Sequence, residues 1–140
     1  MSVKIGLSDD IAACRALRRV VFIEEQQVPE AEEIDDLDGV ALHLLAREGG
    51  VPVGSARIIL QGETAKIGRV CVLKSHRGTG LGAALIRAAL DVAREQTGVA
   101  RAKLGAQIHA LGFYEKLGFV ATGPVYLDAG IEHRDMVREL

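Results

Sequence analysis

Residues 3–7, VKIGL, alternate apolar and polar positions and predict a short strand. Ser8, Asp9 and Asp10 then offer a capping oxygen and negative charge to a helix N-terminus, so a helix is expected from about residue 9. Ile11, Cys14, Leu17, Val20 and Val21 recur at three- and four-residue steps, which gives this helix one buried stripe to about Gln27, ahead of Pro29. Residues 40–47 and 51–60 are rich in aliphatic side chains and are divided by Glu48, Gly49 and Gly50, a hairpin pattern. Residues 64–73, TAKIGRVCVL, read as a further strand, and residues 81–96 as an Ala- and Leu-rich helix ending before Gly98. Residues 99–107 predict a strand, 109–118 a short helix closed by Gly118, 119–123 a strand and 132–140 a last one. This element order predicts an α+β fold with a mixed, mostly antiparallel sheet.

With 140 residues, 49% of them hydrophobic and 26% charged, the chain has material for one substantial core, and one domain over residues 1–140 is expected. The net charge of -2 gives no strongly basic surface, so no nucleic-acid partner is indicated. No stretch approaches the roughly 18 apolar residues of a membrane span. The N-terminus MSVKIGLSDD has no basic region leading into an apolar run, so a cytoplasmic location without membrane association is expected. Cys14 and Cys71 form no C-x-x-C pair and the four histidines show no zinc spacing, so neither a disulfide framework nor a metal site is expected. Charge is unevenly spread. Residues 20–46 hold eight of the 19 acidic side chains, at positions 24, 25, 30, 32, 33, 35, 36 and 38, and not one Lys or Arg. Such a run is either a solvated face or an acidic mouth that attracts a cationic acceptor.

Residues 75–86, SHRGTGLGAALI, place Gly78, Gly80 and Gly82 between a predicted strand and a predicted helix. A helix start leaves backbone N–H groups unpaired and carries partial positive charge, and glycines let an anion approach several of those donors at once. Lys74, His76 and Arg77 add positive charge at the mouth of the loop, which suits a ligand with more than one phosphate. A plain tight turn is the alternative. No Gly-Lys dipeptide occurs, so the loop is not a P-loop. Gly78, Gly80 and Ala83 satisfy the dinucleotide fingerprint, but no acidic residue stands at a strand end about twenty positions on to meet a ribose.

Residues 70–86, VCVLKSHRGTGLGAALI, resemble the acetyl-CoA-binding segment of the GNAT acyltransferase superfamily, whose [QR]-x-x-G-x-[GA] signature is met by Arg77, Gly80 and Gly82. A second GNAT motif, N-x-x-A-x-x-[LF]-Y-x-x-x-G-F, is matched by Ala110, Phe113, Tyr114, Gly118 and Phe119. Its usual Asn is Gln107 here, which keeps the amide but moves it by one methylene. The stretches VVFIEEQQVPEAEEIDDLD and YLDAGIEHRDM are similar to ElaA-like GNAT proteins.

The resemblance spans nearly the whole chain and implies a three-layer αβα arrangement. It also implies acetyl-CoA as co-substrate and direct acetyl transfer to a primary amine of a small-molecule acceptor, without a metal. A second copy of the chain, as a homodimer, is the one protein assembly entertained. By the same resemblance, backbone groups of Val70, Cys71 and Val72 meet the pantetheine arm, and Arg77, Gly78, Thr79, Gly80, Leu81 and Gly82 hold the pyrophosphate. Gln107 and Ala110 face the cofactor, and Tyr114 protonates the departing thiolate. On one helix, positions 107, 110 and 114 would share a face; a packing role beside Phe113 and Phe119 is the alternative for Tyr114.

The base stays open. Arg69 stands on the long strand where many GNAT proteins carry a carboxylate, and Glu24, Glu25, Glu33 and His109 are the candidates. Arg69 could bind an anionic part of the acceptor or pair with a carboxylate. His43 and His133 could reach the acceptor pocket or be packing or surface residues, and Cys71 reads as a buried strand thiol more than as an acyl carrier. A non-catalytic acyl-CoA-binding regulator and a protein-amine acetyltransferase are the rival readings.

Overall fold

The computed structural model describes residues 2–140. Seven strands form one sheet: β1 (Val3–Leu7), β2 (Leu42–Glu48), β3 (Val51–Gln61), β4 (Thr64–Val72), β5 (Arg101–Gln107), β6 (Val120–Asp128) and β7 (Ile131–Glu139). Their order is β1-β2-β3-β4-β5-β7-β6, and every neighbouring pair is antiparallel except β4 and β5. The helices are α1 (Ile11–Arg18), α2 (Glu30–Glu33), α3 (Leu81–Glu95) and α4 (Leu111–Glu115).

The sheet buries both faces because its central strands are apolar on both sides. Leu44, Ala46, Val53, Ala56, Ile58, Ile67 and Leu104 meet the stripe Leu81, Leu85, Ile86, Ala89, Leu90 and Ala93 of α3 on one face. On the other, Leu45 and Cys71 pack against Cys14, Leu17 and Val21. Adjacent Leu44 and Leu45 thus serve opposite layers, and the α+β, three-layer expectation holds.

Three elements differ from the pattern-based expectation. The first helix begins as expected, with the Asp10 carboxylate accepting from the Ala13 N–H at 3.0 Å, but α1 ends at Arg18 and Arg19–Glu25 continues as a π-helix. Three of those seven residues, Val20, Val21 and Ile23, are β-branched and crowd an α-helical wall. The single turn α2 is too short to leave a periodic signal. The strand expected over 119–123 runs to Asp128 across an irregularity between Thr122 and Tyr126, where Pro124 sits in a strand at the sheet edge.

Two features open the sheet. β4 and β5 pair only at Thr64–Arg101, Ala65–Ala102 and Lys66–Lys103, then diverge. Beside the gap, the β3–β4 register slips between Ser55 and Arg57, setting Arg69 and Val70 opposite Ala56 alone. Arg69 takes a φ of 49°, the left-handed conformation of a bulge residue.

Candidate active site

Where β4 and β5 part, a cavity of about 460 Å³ opens. Val70, Gln107, Ala110 and Tyr114 line it, together with residues of the π-helix, the 28–37 segment and the β6–β7 hairpin. Beyond Lys66 the β5-facing backbone of Val70, Cys71 and Val72 has no strand partner on that side. The Val72 carbonyl accepts instead from Arg77 Nε at 3.1 Å.

The loop after β4 begins with a short 3-10 turn, Lys74–His76, and Gly78 and Gly80 follow with φ of 78° and 85°. Gly80 is the N-cap of α3 and lends no side chain to its first N–H groups, so these donors face outward unpartnered by a cap. The Thr79 hydroxyl donates to the His76 carbonyl and fixes the turn. Arg77 is not a free cation at the loop: its Nη2 lies 2.7 Å from Glu25 Oε2. The loop therefore presents backbone donors more than side-chain charge.

Gln107, Ala110 and Tyr114 do not share one helix. Gln107 ends β5, Ala110 closes a 3-10 turn and Tyr114 lies in α4, yet all three reach the same cavity. The Tyr114 ring packs edge-on to Phe113 and Phe119 at 5.0 and 6.0 Å, so the packing role and a cavity-facing position coexist. Its burial pushes the phenol up, which keeps the proton on the oxygen at neutral pH.

The acidic run is not an open acidic mouth. Asp38, 3% exposed, receives Arg18 at 2.9 and 2.6 Å, Arg15 at 2.9 Å and Arg57 at 3.1 Å. Asp35 takes both Arg57 nitrogens at 2.8 and 2.9 Å, and Glu33 lies 2.8 Å from Arg18. Glu30 pairs with Arg19 and Glu25 with Arg77, leaving Glu24, Glu32 and Asp36 without an ion-pair partner among the described residues. Arg69 belongs to this network, donating to the Glu33 carbonyl at 3.1 Å and to Asp35 at 3.3 Å. Burial holds the Arg69 guanidinium below its ordinary value, with the Arg57 charge adding to the effect.

The expected bases fare unevenly. Glu33 is buried in its pair, Glu25 is engaged by Arg77, and neither Glu24, Glu25 nor His109 lines the cavity. His43 is packed, donating from Nε2 to the Asp38 carbonyl at 2.9 Å. His133 does line the cavity. Cys71 is a buried thiol 3.3 Å from Ser55 Oγ, and desolvation pushes it up to about 11. Sequence reasoning missed one cluster: Tyr126 lies across Gly105, stacks on His133 and donates to Asp135 at 2.8 Å. His133 and the stretch YLDAGIEHRDM were visible in the sequence, but no local signal shows that these side chains meet over Gly105. Among the described residues no group of His, Cys, Asp and Glu is placed to hold a metal ion, and no helix is long and apolar enough to cross a membrane.

Residues 15–140 match the family described as Acetyltransferase (GNAT) domain. The uncharacterized N-acetyltransferase YjcF of Bacillus subtilis is 40% identical over 124 residues, covering 88% of each chain. Protein ElaA of Escherichia coli is 35% identical over 128 residues, covering 89% of this chain and 84% of its own. The crystal structure of E. coli ElaA superposes with a TM-score of 0.89 at 31% identity, over 99% of this chain and 100% of that one. An acyl-CoA N-acyltransferase from Pseudomonas aeruginosa superposes with the same score at 32% identity, over 98% of this chain and 99% of its own.

Proposed function

The chain belongs to the GNAT acetyltransferase family, and from that premise we propose that it moves an acetyl group from acetyl-CoA directly to a primary amine of a small-molecule acceptor, as a single domain. The observation that carries this reading is the divergence of β4 and β5 into a cavity that holds Tyr114, with the glycine loop at the C-terminal end of β4.

In this reading the unpaired edge of β4 at Val70, Cys71 and Val72 receives the pantetheine amides, with Arg77 releasing the Val72 carbonyl. Backbone donors over Arg77, Gly78, Thr79, Gly80, Leu81 and Gly82 hold the pyrophosphate at the start of α3, where the helix end favours negative charge. Gln107 and Ala110 form the opposite wall. Acetyl-CoA supplies the activated acyl group. Tyr114 gives its proton to the sulfur as the C–S bond breaks; a phenol carries that proton at neutral pH, and burial pushes it further toward the neutral form. Direct transfer is supported by the state of Cys71, whose buried thiol is held protonated and is a poor acyl carrier.

Titration calorimetry with CoA, followed by acetyl-transfer assays over polyamines, aralkylamines and amino acids, tests the reading. Saturable CoA binding and turnover of at least one amine are expected. Absence of CoA binding at millimolar ligand overturns it, and binding without turnover favours an acyl-CoA-binding regulator.

A further inference from the structure

The proposed acetyl transfer lacks a base, and β4 bears Arg69 where a carboxylate would serve. We infer that His133 Nε2 takes the proton from the attacking amine and that Tyr126 positions the imidazole for it. This assignment rests on the acyl-transfer reading above.

The tautomer comes first. His133 Nδ1 lies 2.7 Å from the Ile131 carbonyl, an acceptor only, so Nδ1 carries the hydrogen and the neutral ring keeps its lone pair on Nε2. Among the described residues His133 has no other side-chain hydrogen bond; it is half-buried and lines the cavity. Its register partner on β5 is Gln107, at the edge of the gap that opens toward Tyr114. The proposed acid and the proposed base thus line one cavity, at the end of β5.

The ring is held from a second direction. Tyr126, its register partner on β6, stacks on it with centroids 5.9 Å apart and an interplanar angle of 24°. Tyr126 is anchored at its far end: its hydroxyl donates to Asp135 Oδ1 at 2.8 Å, and Lys103 Nζ stands 3.5 Å from the other carboxylate oxygen. It lies flat over β5 only because residue 105 is glycine: a Cβ there would overlap the Tyr126 hydroxyl. The stacked phenol also stabilises the imidazolium that proton uptake creates.

Three of the five carboxylates that line the cavity are committed, and only Glu32 and Asp128 are without an ion-pair partner among the described residues. Asp135 is occupied by Tyr126 and Lys103, Asp35 by Arg57, and Glu33 by Arg18. The step balances simply. As the acceptor nitrogen bonds to the acyl carbon and the C–S bond breaks, Nε2 receives the proton that nitrogen releases and Tyr114 supplies the one that sulfur takes up. Solvent then returns both groups to their starting states.

The test uses any primary amine that the wild type acetylates, with CoA affinity measured alongside. His133→Ala is expected to lower kcat by about 10² to 10⁴-fold at unchanged CoA affinity, with free imidazole restoring part of the rate. In the wild type kcat, measured with saturating amine so that the free acceptor's own protonation does not enter, should fall as pH drops, and this limb should vanish in the variant. The titratable and charged neighbours around the cavity are Lys103 on β5, Asp128 and the neutral Tyr126 on β6 and Asp135 on β7, with Glu32, Lys66 and the paired Glu33, Asp35, Arg57 and Arg69 across from them. Tyr126→Phe, which removes only the hydroxyl anchor, should lower kcat with little change in KM for acetyl-CoA. Should the alanine variant not fold, His133→Asn carries the same expectation without the rescue. An active wild type with indifferent His133 variants, or a loss that imidazole does not rescue while the acidic limb persists, overturns the assignment alone. A wild type that binds CoA and acetylates none of the amines overturns the acyl-transfer reading and this assignment together.

Discussion

Burial pushes up both the Tyr114 phenol and the Cys71 thiol, with opposite consequences for chemistry. A neutral phenol is a competent proton donor, whereas a neutral thiol is a poor nucleophile. Tyr114→Phe should therefore lower kcat and kcat/KM together by about 10² to 10⁴-fold, toward the lower end because a thiolate is a fair leaving group, while CoA affinity holds. The hydroxyl makes no protein hydrogen bond, so the melting temperature should change little; steady-state kinetics and calorimetry check both. Cys71→Ala should keep kcat within about two-fold, and the native thiol, held up to about 11, should resist iodoacetamide at neutral pH until the protein unfolds. Rapid alkylation of the folded protein, or lost turnover in a folded Cys71→Ala, would argue for an acyl-enzyme instead.

The glycine loop, as an element, works through backbone conformation. A Cβ on Gly80 would meet nothing within 4 Å, so crowding by the protein is not what selects glycine there; the φ of 85° is. Holding a β-branched residue in that region costs about 1–2 kcal/mol, which Gly80→Val would relieve by shifting the first N–H groups of α3. About a ten-fold weaker CoA affinity by calorimetry is expected, against no change for Gly39→Ala, which has open space and an ordinary φ. Equal affinities in folded proteins would contradict a backbone cradle. This loop, the hairpin before it and the Ala-rich helix after it were legible in sequence because turn residues and apolar periodicity are local signals. Tyr114 and Gln107 were legible through a local motif. The π-helix was not, since its apolar stripe mimics an α-helix, and β6 was cut short at Pro124, which β6 tolerates as an edge strand. The base was hidden for another reason: Tyr126, His133, Asp135 and Gly105 meet through strand register across β5, β7 and β6, which no spacing along the chain reveals.

Across the whole molecule, the strongest non-local device is the ion network that ties α1, the 33–38 segment, β3 and β4 together. Its partners stand 15 to 36 residues apart, from Arg18 and Glu33 to Arg69 and Glu33, so the sequence displayed the acidic run but not its neutralisation. Hydrogen bonds from Arg18, then from Arg15 and Arg57, hold the Asp38 carboxyl well below the usual carboxylate range against the opposing effect of burial, and the Arg57 hydrogen bonds lower Asp35 in the same sense. A carboxylate lowered on folding stabilises the native state above its unfolded value of about 3.9, and that contribution is lost as pH falls through the lower folded value. Urea midpoints should thus be steady from about pH 8 to 5 and fall progressively below about pH 4. Asp38→Asn should cost roughly 3–5 kcal/mol at neutral pH, because Arg18 and Arg57, 2% and 5% exposed, lose a buried counter-charge. The variant should also show a shallower acid dependence than the wild type. A midpoint that falls equally in both proteins would assign acid sensitivity to other carboxylates.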